Sequence, residues 1–189
     1  MPGRNVAVVT SDTAAAPLDR GAPELPAIPV SAGALIFDRA GRLLILKPTY
    51  KSGWTIPGGV MEADGETPWE ACRREVREET GIDVRRGRLA CMDFRRPRPG
   101  NPGGIRFLFD CGAVGDQDLA MIVIQAEEIS EYKFAAPPEA LSLLRRPIRR
   151  RVRAALACRR LVYLEDGRPV PGAGKGATSS PPSQHGRMK

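Results

Sequence analysis

The chain has 189 residues, of which 42% are hydrophobic and 27% charged, with a net charge of +7; these proportions fit one globular domain with tails. No apolar run reaches the roughly 18 residues that a membrane-spanning helix needs, and the N-terminus has no basic region followed by an apolar stretch. Neither anchor nor signal peptide is expected, and the expected location is cytoplasmic. The single histidine, His185, sits in a Ser/Pro/Gly-rich end, which excludes Ser-His-Asp and Cys-His catalysis and most catalytic zinc sites.

Residues 1–28 are rich in Ala and Pro with little periodicity and read as a flexible tail. Strands are expected over Ala32 to Phe37 and Arg42 to Lys47, joined by the turn Asp38-Arg39-Ala40-Gly41. Trp54 to Pro57 then delivers the chain into Gly58-Gly59. Lys47, Tyr50 and Trp54 are candidates for lining a pocket, with Trp54 equally suited to a core.

The helix that follows is delimited by its own punctuation. Thr67 is the N-cap, Pro68 suits the first turn, Glu70 completes a capping box and Gly81 supplies the stop. With Glu75 set at zero on a helical wheel, Glu79 falls at about +40° and Glu78 at about −60°, so three carboxylates share one arc. Trp69, Cys72 and Val76 make an apolar stripe beside them. Like charges at these spacings destabilise a helix by about 0.2–0.5 kcal/mol per pair, a cost that a divalent cation would reverse. Oxygen-only ligands favour Mg2+ or Mn2+. Alternatively the acids form a solvated face, with Arg74 paired to Glu78.

The segment Gly59 to Ile82 resembles the signature of the Nudix hydrolases: Gly, five residues, Glu, seven residues, Arg-Glu, an aliphatic, any residue, Glu-Glu, any residue, Gly, an aliphatic. Glu66 is followed by seven residues and then by Arg74-Glu75-Val76-Arg77-Glu78-Glu79-Thr80-Gly81-Ile82, which matches at every specified position. Six residues rather than five separate Gly59 from Glu66, read as a loop enlarged at Ala63-Asp64. The resemblance implies an α/β/α sandwich with a mixed sheet, and attack of water on a pyrophosphate linkage of a nucleoside diphosphate derivative, either ADP-ribose or a nucleotide sugar, or a nucleoside triphosphate. It further implies Glu75, Glu78, Glu79 and the Gly59 carbonyl as metal contacts, Glu66 as a supporting acid and Arg74 as the residue that holds the glutamates. The other reading is a Nudix-fold nucleotide- or RNA-binding regulatory module with weak or no catalysis.

Beyond the box, Leu89 to Arg95, Ile105 to Cys111 and Leu119 to Gln125 read as strands. Pro97 stands 15 residues past the box, a spacing similar to that of a proline in the family's ADP-ribose hydrolases, although Pro99 and Pro102 share its loop. Family members often take a general base from a later loop, where Glu127, Glu128 and Glu131 are available; Glu131 is the choice made here, with a box glutamate such as Glu78 as the other. Helices are expected over Pro138 to Leu144 and Ile148 to about Arg160, with Pro147 as an interruption. Arginines crowd the second of these, beside an apolar stripe of Ile148, Val152 and Ala155 or Leu156. A pI near 9.7 favours an RNA or polyphosphate contact, but without interleaved aromatics a docked helix with a solvated basic face is preferred. The expected domain spans 29–168, with a flexible tail over 169–189, and Cys72, Cys91, Cys111 and Cys158 are expected as reduced core residues. The expected partner is a nucleotide-type small molecule, with no membrane; assembly is left open, a dimer included.

Overall fold

The computed structural model describes residues 26–173. Most of both expected tails, and His185, lie outside the described residues.

Eight strands form one mixed sheet. β1 (Val30–Phe37) lies near its middle, antiparallel to β2 (Leu43–Pro48) and β3 (Gly58–Val60) and parallel to β5 (Gly104–Ala113), which pairs antiparallel with β4 (Arg88–Arg95). β6 (Ile129–Ala135) flanks β2, and β7 (Val162–Glu165) with β8 (Arg168–Pro169) closes the other edge beside β4. The β1–β2 turn forms where expected because the buried Asp38 carboxylate accepts from the backbone N–H groups of Ala40 and Arg42, at 3.0 and 2.8 Å.

α1 (Pro68–Thr80) covers one face of the sheet with Ala71, Cys72 and Val76, joined by Ile82 and Val84. Its caps match the sequence reading: Thr67 Oγ1 accepts from Glu70 N at 3.3 Å, Glu70 Oε2 accepts from Thr67 N at 2.8 Å, and Gly81 takes φ +76°. Trp69 packs on Phe109 with ring centroids 5.1 Å apart. The opposite face carries α3 (Pro137–Leu143) and α4 (Arg146–Ala157) through Ala140, Leu144, Ile148, Val152 and Ala155. A mixed sheet between helical layers is the α/β/α sandwich expected.

Three elements differ from expectation. Leu119 to Gln125 is not a strand. Asp116–Ala120 forms the short helix α2, started where Asp118 Oδ2 accepts from Gly115 N at 3.2 Å, and the residues after it pack Ile122 and Ile124 under α1 as irregular chain. The missing strand is instead β6, whose exposed Glu131 and Lys133 hid it, as charges do on an edge strand. The last helix ends at Ala157 and a hairpin follows, turning at Asp166-Gly167, both at positive φ. Pro147 does not interrupt a helix; it sits in the first turn of α4, where a missing N–H costs nothing. Among the cysteines, Cys72 and Cys91 are buried and Cys158, against expectation, is exposed beyond the helix end; all four are free.

Candidate active site

The paired glycines bring β3 against β1 and α1 against β3. A Cβ at Gly58 would collide with the backbone of Ala32 and Gly33, and one at Gly59 would occupy the space filled by the Glu75 carboxylate. Glycine at 59 thus lets a helix carboxylate lie directly on the strand backbone. Beside it, the Gly58 N–H donates to Glu79 Oε2 at 2.8 Å.

Arg74 ties the acids together. Its Nε donates to Glu66 Oε1 at 2.8 Å and Nη2 to Glu66 Oε2 at 3.1 Å; Nη1 donates to Glu75 Oε1 at 3.0 Å and Glu78 Oε2 at 3.1 Å, while Nη2 also reaches the Val60 carbonyl at 3.1 Å. Only a guanidinium has enough donors in one plane for this. The extra residue ahead of Glu66 is absorbed within the turn, where Glu62 N donates to Glu66 Oε2 at 2.8 Å, Glu66 N donates to Asp64 Oδ1 at 3.1 Å and Gly65 takes φ +97°. Glu66 therefore still meets Arg74, and Gly59 still meets Glu75.

The environments of these acids diverge. The bonds from Arg74 hold Glu66 below the usual carboxylate range. Burial raises Glu75 against the pull of Arg74. Glu79, only 6% exposed, is pushed up to about 8 by burial, with the charges of Glu75, Glu128 and Glu78 adding to the effect against the Gly58 bond. Among the described residues no three acidic, histidine or cysteine side chains already converge as a cage: Arg74 and Gly58 N–H occupy the oxygens. An all-oxygen donor set, a backbone cradle that a Cβ would fill and two carboxyls raised by burial fit a hard divalent cation.

A cleft of about 290 Å³ opens beside Gly58, Gly59 and Glu79. Ile56 and Phe107 supply apolar wall, and Lys51, Arg106 and Arg145 supply positive charge. Arg145 Nε is buried with no hydrogen-bond partner among the described residues. Tyr50 lines the same cleft, with Lys51 Nζ 4.7 Å from its ring centroid.

Glu131 does not lie in a loop. It stands in β6 opposite Lys47, whose Nζ is 3.4 Å from Glu131 Oε2, on the strand face where Lys133 pairs with Glu139 of α3. Glu128, in the turn before β6, is the later acid whose charge acts on both Glu75 and Glu79. It is fixed there because Thr49 N donates to its carbonyl at 2.8 Å. Trp54 packs into the core under α3 and α4 rather than the cleft, and Pro97 is not among the residues lining the cleft. Arg106 is unassigned in the sequence and Arg145 counts there with the basic last helix, because their approach to the box depends on β5 and on the start of α4, which no local spacing reveals.

The sequence profile of the NUDIX domain matches residues 27–156. A MutT-like protein of Streptomyces ambofaciens is 32% identical over 108 residues, covering 54% of this chain and 67% of its own length. An 8-oxo-dGTP diphosphatase of Proteus vulgaris is 42% identical over 57 residues, 28% of this chain and 50% of its own. In three dimensions, the MutT protein of Methanosarcina mazei superposes with a TM-score of 0.59 at 28% identity, over 72% of this chain and 97% of its own.

Proposed function

The chain belongs to the Nudix hydrolase family, a family of diphosphohydrolases, and from that premise we propose that it cleaves a phosphoanhydride of a nucleoside diphosphate derivative with the help of Mg2+ or Mn2+. The observation that carries this reading is the seat of the Glu75 carboxylate on Gly59, beside Glu79 on the Gly58 N–H. Glu75, Glu78, Glu79 and the Gly59 carbonyl are the groups that would hold the cation. The chemistry supplied by a divalent cation there, when bound, is neutralisation of phosphate oxygens and acidification of water.

The chain's own side chains supply the rest. Lys51 and Arg145 line the cleft as cations and hold the phosphate chain in line with the attacking water. Arg74 holds the three acids it touches in orientation, so that Glu66 is a positioning residue through Arg74. Glu128 takes the proton from water as its oxygen attacks phosphorus and the anhydride P–O bond breaks, the leaving phosphate departing with the electron pair. Phe107 and Ile56 form the apolar wall that a nucleoside needs. Among substrates we place nucleoside triphosphates ahead of ADP-ribose or nucleotide sugars: the name of the 8-oxo-dGTP diphosphatase points that way, and Pro97, which suggested ADP-ribose, does not line the cleft.

The test is a screen of nucleoside triphosphates, nucleotide sugars and ADP-ribose with Mg2+ and with Mn2+, products read by mass, on wild type and Glu78→Gln. Wild type is expected to release product only with metal, and the variant to lose about 10²-fold or more. Equal turnover by the two proteins on every substrate would end this reading.

A further inference from the structure

A second cavity, of about 490 Å³, lies between the end of β4, the start of α4 and the β7–β8 hairpin. Asp93 lines it, whereas Arg151 lines the box cleft, and the two pair at 3.3 Å while 1% and 14% exposed. That buried ion pair is the partition between the two spaces. The hairpin lies beyond residue 156, where the NUDIX profile match ends, so one wall of this cavity stands outside the matched domain.

Arginines outnumber acids around it. Asp166, held in the hairpin turn at φ +51°, is shared by Arg96 at 3.0 Å, Arg98 at 3.2 Å and Arg95 at 3.8 Å, and Arg96 also pairs with Glu165. One turn carboxylate cannot satisfy that set: Arg95 Nε is buried and makes no hydrogen bond. Arg150 donates only to the Asp166 carbonyl, at 3.2 Å, and Arg146 and Arg168 make no ion pair among the described residues. The 12-residue helix α4 opens onto this cavity at Arg146 and Pro147 with no side-chain cap and no acid in its first turn. Its positive end is therefore left without the anion that helix starts favour.

We propose that this cavity is a second, metal-independent binding site for an oligophosphate chain, separate from the diphosphate site of the box. Guanidinium groups recognise phosphate through paired N–H donors, and here they come from β4, its following turn, α4 and the hairpin, which suits several linked phosphates better than one. Among the described residues no aromatic side chain lines the cavity, so a nucleobase has nothing there to stack on and a single-stranded nucleic acid is the less fitting occupant. Binding here does not depend on hydrolysis at the box.

The experiment is calorimetric titration of the full chain with inorganic tripolyphosphate in EDTA, where the box has no cation to receive phosphate. One ligand per chain is expected, weakening as salt is raised. In Arg98→Gln/Arg146→Gln, both exposed positions, affinity should fall by about tenfold or more, the loss typical of charged hydrogen bonds. Lys51→Gln, in the box cleft, should bind as wild type does, and a nucleoside triphosphate in EDTA should bind no more tightly than tripolyphosphate. The proposal is overturned by absence of binding in EDTA, by undiminished binding in the double variant, by loss in Lys51→Gln, or by a clear preference for the nucleotide or for single-stranded RNA.

Discussion

Arg74 grips both carboxylate oxygens of Glu66, Nε to Oε1 at 2.8 Å and Nη2 to Oε2 at 3.1 Å, across the turn that carries the extra residue. The same guanidinium holds Glu75 and Glu78, so the turn before the helix and the acids on it are oriented by one side chain. Lysine keeps the charge but offers a point rather than a planar fork. Arg74→Lys is expected to lose about 2 kcal/mol of stability, a melting drop of roughly 4–8 °C, and about tenfold or more in kcat. A melt and steady-state kinetics on the same preparation check both; unchanged kcat with a lowered melting point would reduce Arg74 to a structural residue.

Two glycines of the box give opposite expectations. At Gly59 a Cβ would take the place of the Glu75 carboxylate, whereas at Gly65 it would meet nothing within 4 Å, its cost being only the strain of φ +97°. Gly59→Ala should displace a site acid by about an ångström, enough to remove about 10²-fold of the activity. Gly65→Ala should cost about 1 kcal/mol of stability and keep the response to metal. Activity assays of both variants across a Mg2+ titration separate the two; equal losses would mean that the turn, not the seat of Glu75, matters.

The helix of the box was legible residue by residue because its caps, its acids and its apolar stripe are all local. Thr67, Glu70 and Gly81 do what their types dictate, and Glu75, Glu78 and Glu79 share a face because 3.6 residues make a turn. What was not legible is long-range or deceptive. Ile122-Val123-Ile124 reads as a strand by composition, yet Val123 N–H donates to the Thr80 carbonyl at the end of α1, at 3.1 Å, rather than to a strand. β6 reads as a loop because its edge position tolerates Glu131 and Lys133. Asp166-Gly167 carried a hairpin signal that the basic helix before it overshadowed. Glu128 and Arg145 reach the box only through the register of β2 with β6 and the docking of α4, neither of which has a sequence spacing.

Glu79 sets a pH dependence whose sign is opposite to that of an exposed, paired carboxylate. Burial pushes its pKa up to about 8 from an ordinary 4.5, so the folded chain holds a proton that the unfolded chain releases. Its contribution to stability is complete below about pH 4.5 and is lost as pH rises toward 8, by a few kcal/mol at most, since one pKa unit is about 1.4 kcal/mol. In EDTA, Glu79→Gln should therefore match wild type near pH 4.5 and become progressively more stable than it up to pH 8. Mg2+ should raise the wild-type melting point most near pH 8, where the carboxylate is free of its proton, and should do little for the variant. Parallel melting curves for the two proteins from pH 4.5 to 8.5, with and without Mg2+, would show that Glu79 does not titrate in this window.

Glu128 and Glu131 lie three residues apart yet face different tasks. Glu128 sits in the turn anchored by Thr49, close enough for its charge to act on Glu75 and Glu79, while Glu131 is spent on Lys47 across the β2–β6 ladder. A general base contributes about 10²–10⁴-fold, and an exposed ion pair of the Glu131 kind about 0–1 kcal/mol of stability. Glu128→Gln should thus lower kcat by about 10²-fold or more at saturating metal, with KM little changed. Glu131→Gln should stay within about twofold of wild type, because losing it frees Lys47 without touching the cleft. Single-turnover rates for both variants at saturating Mg2+ decide the assignment: a large loss in Glu131→Gln with normal rates in Glu128→Gln would reverse it, and normal rates in both would leave proton removal to a box glutamate.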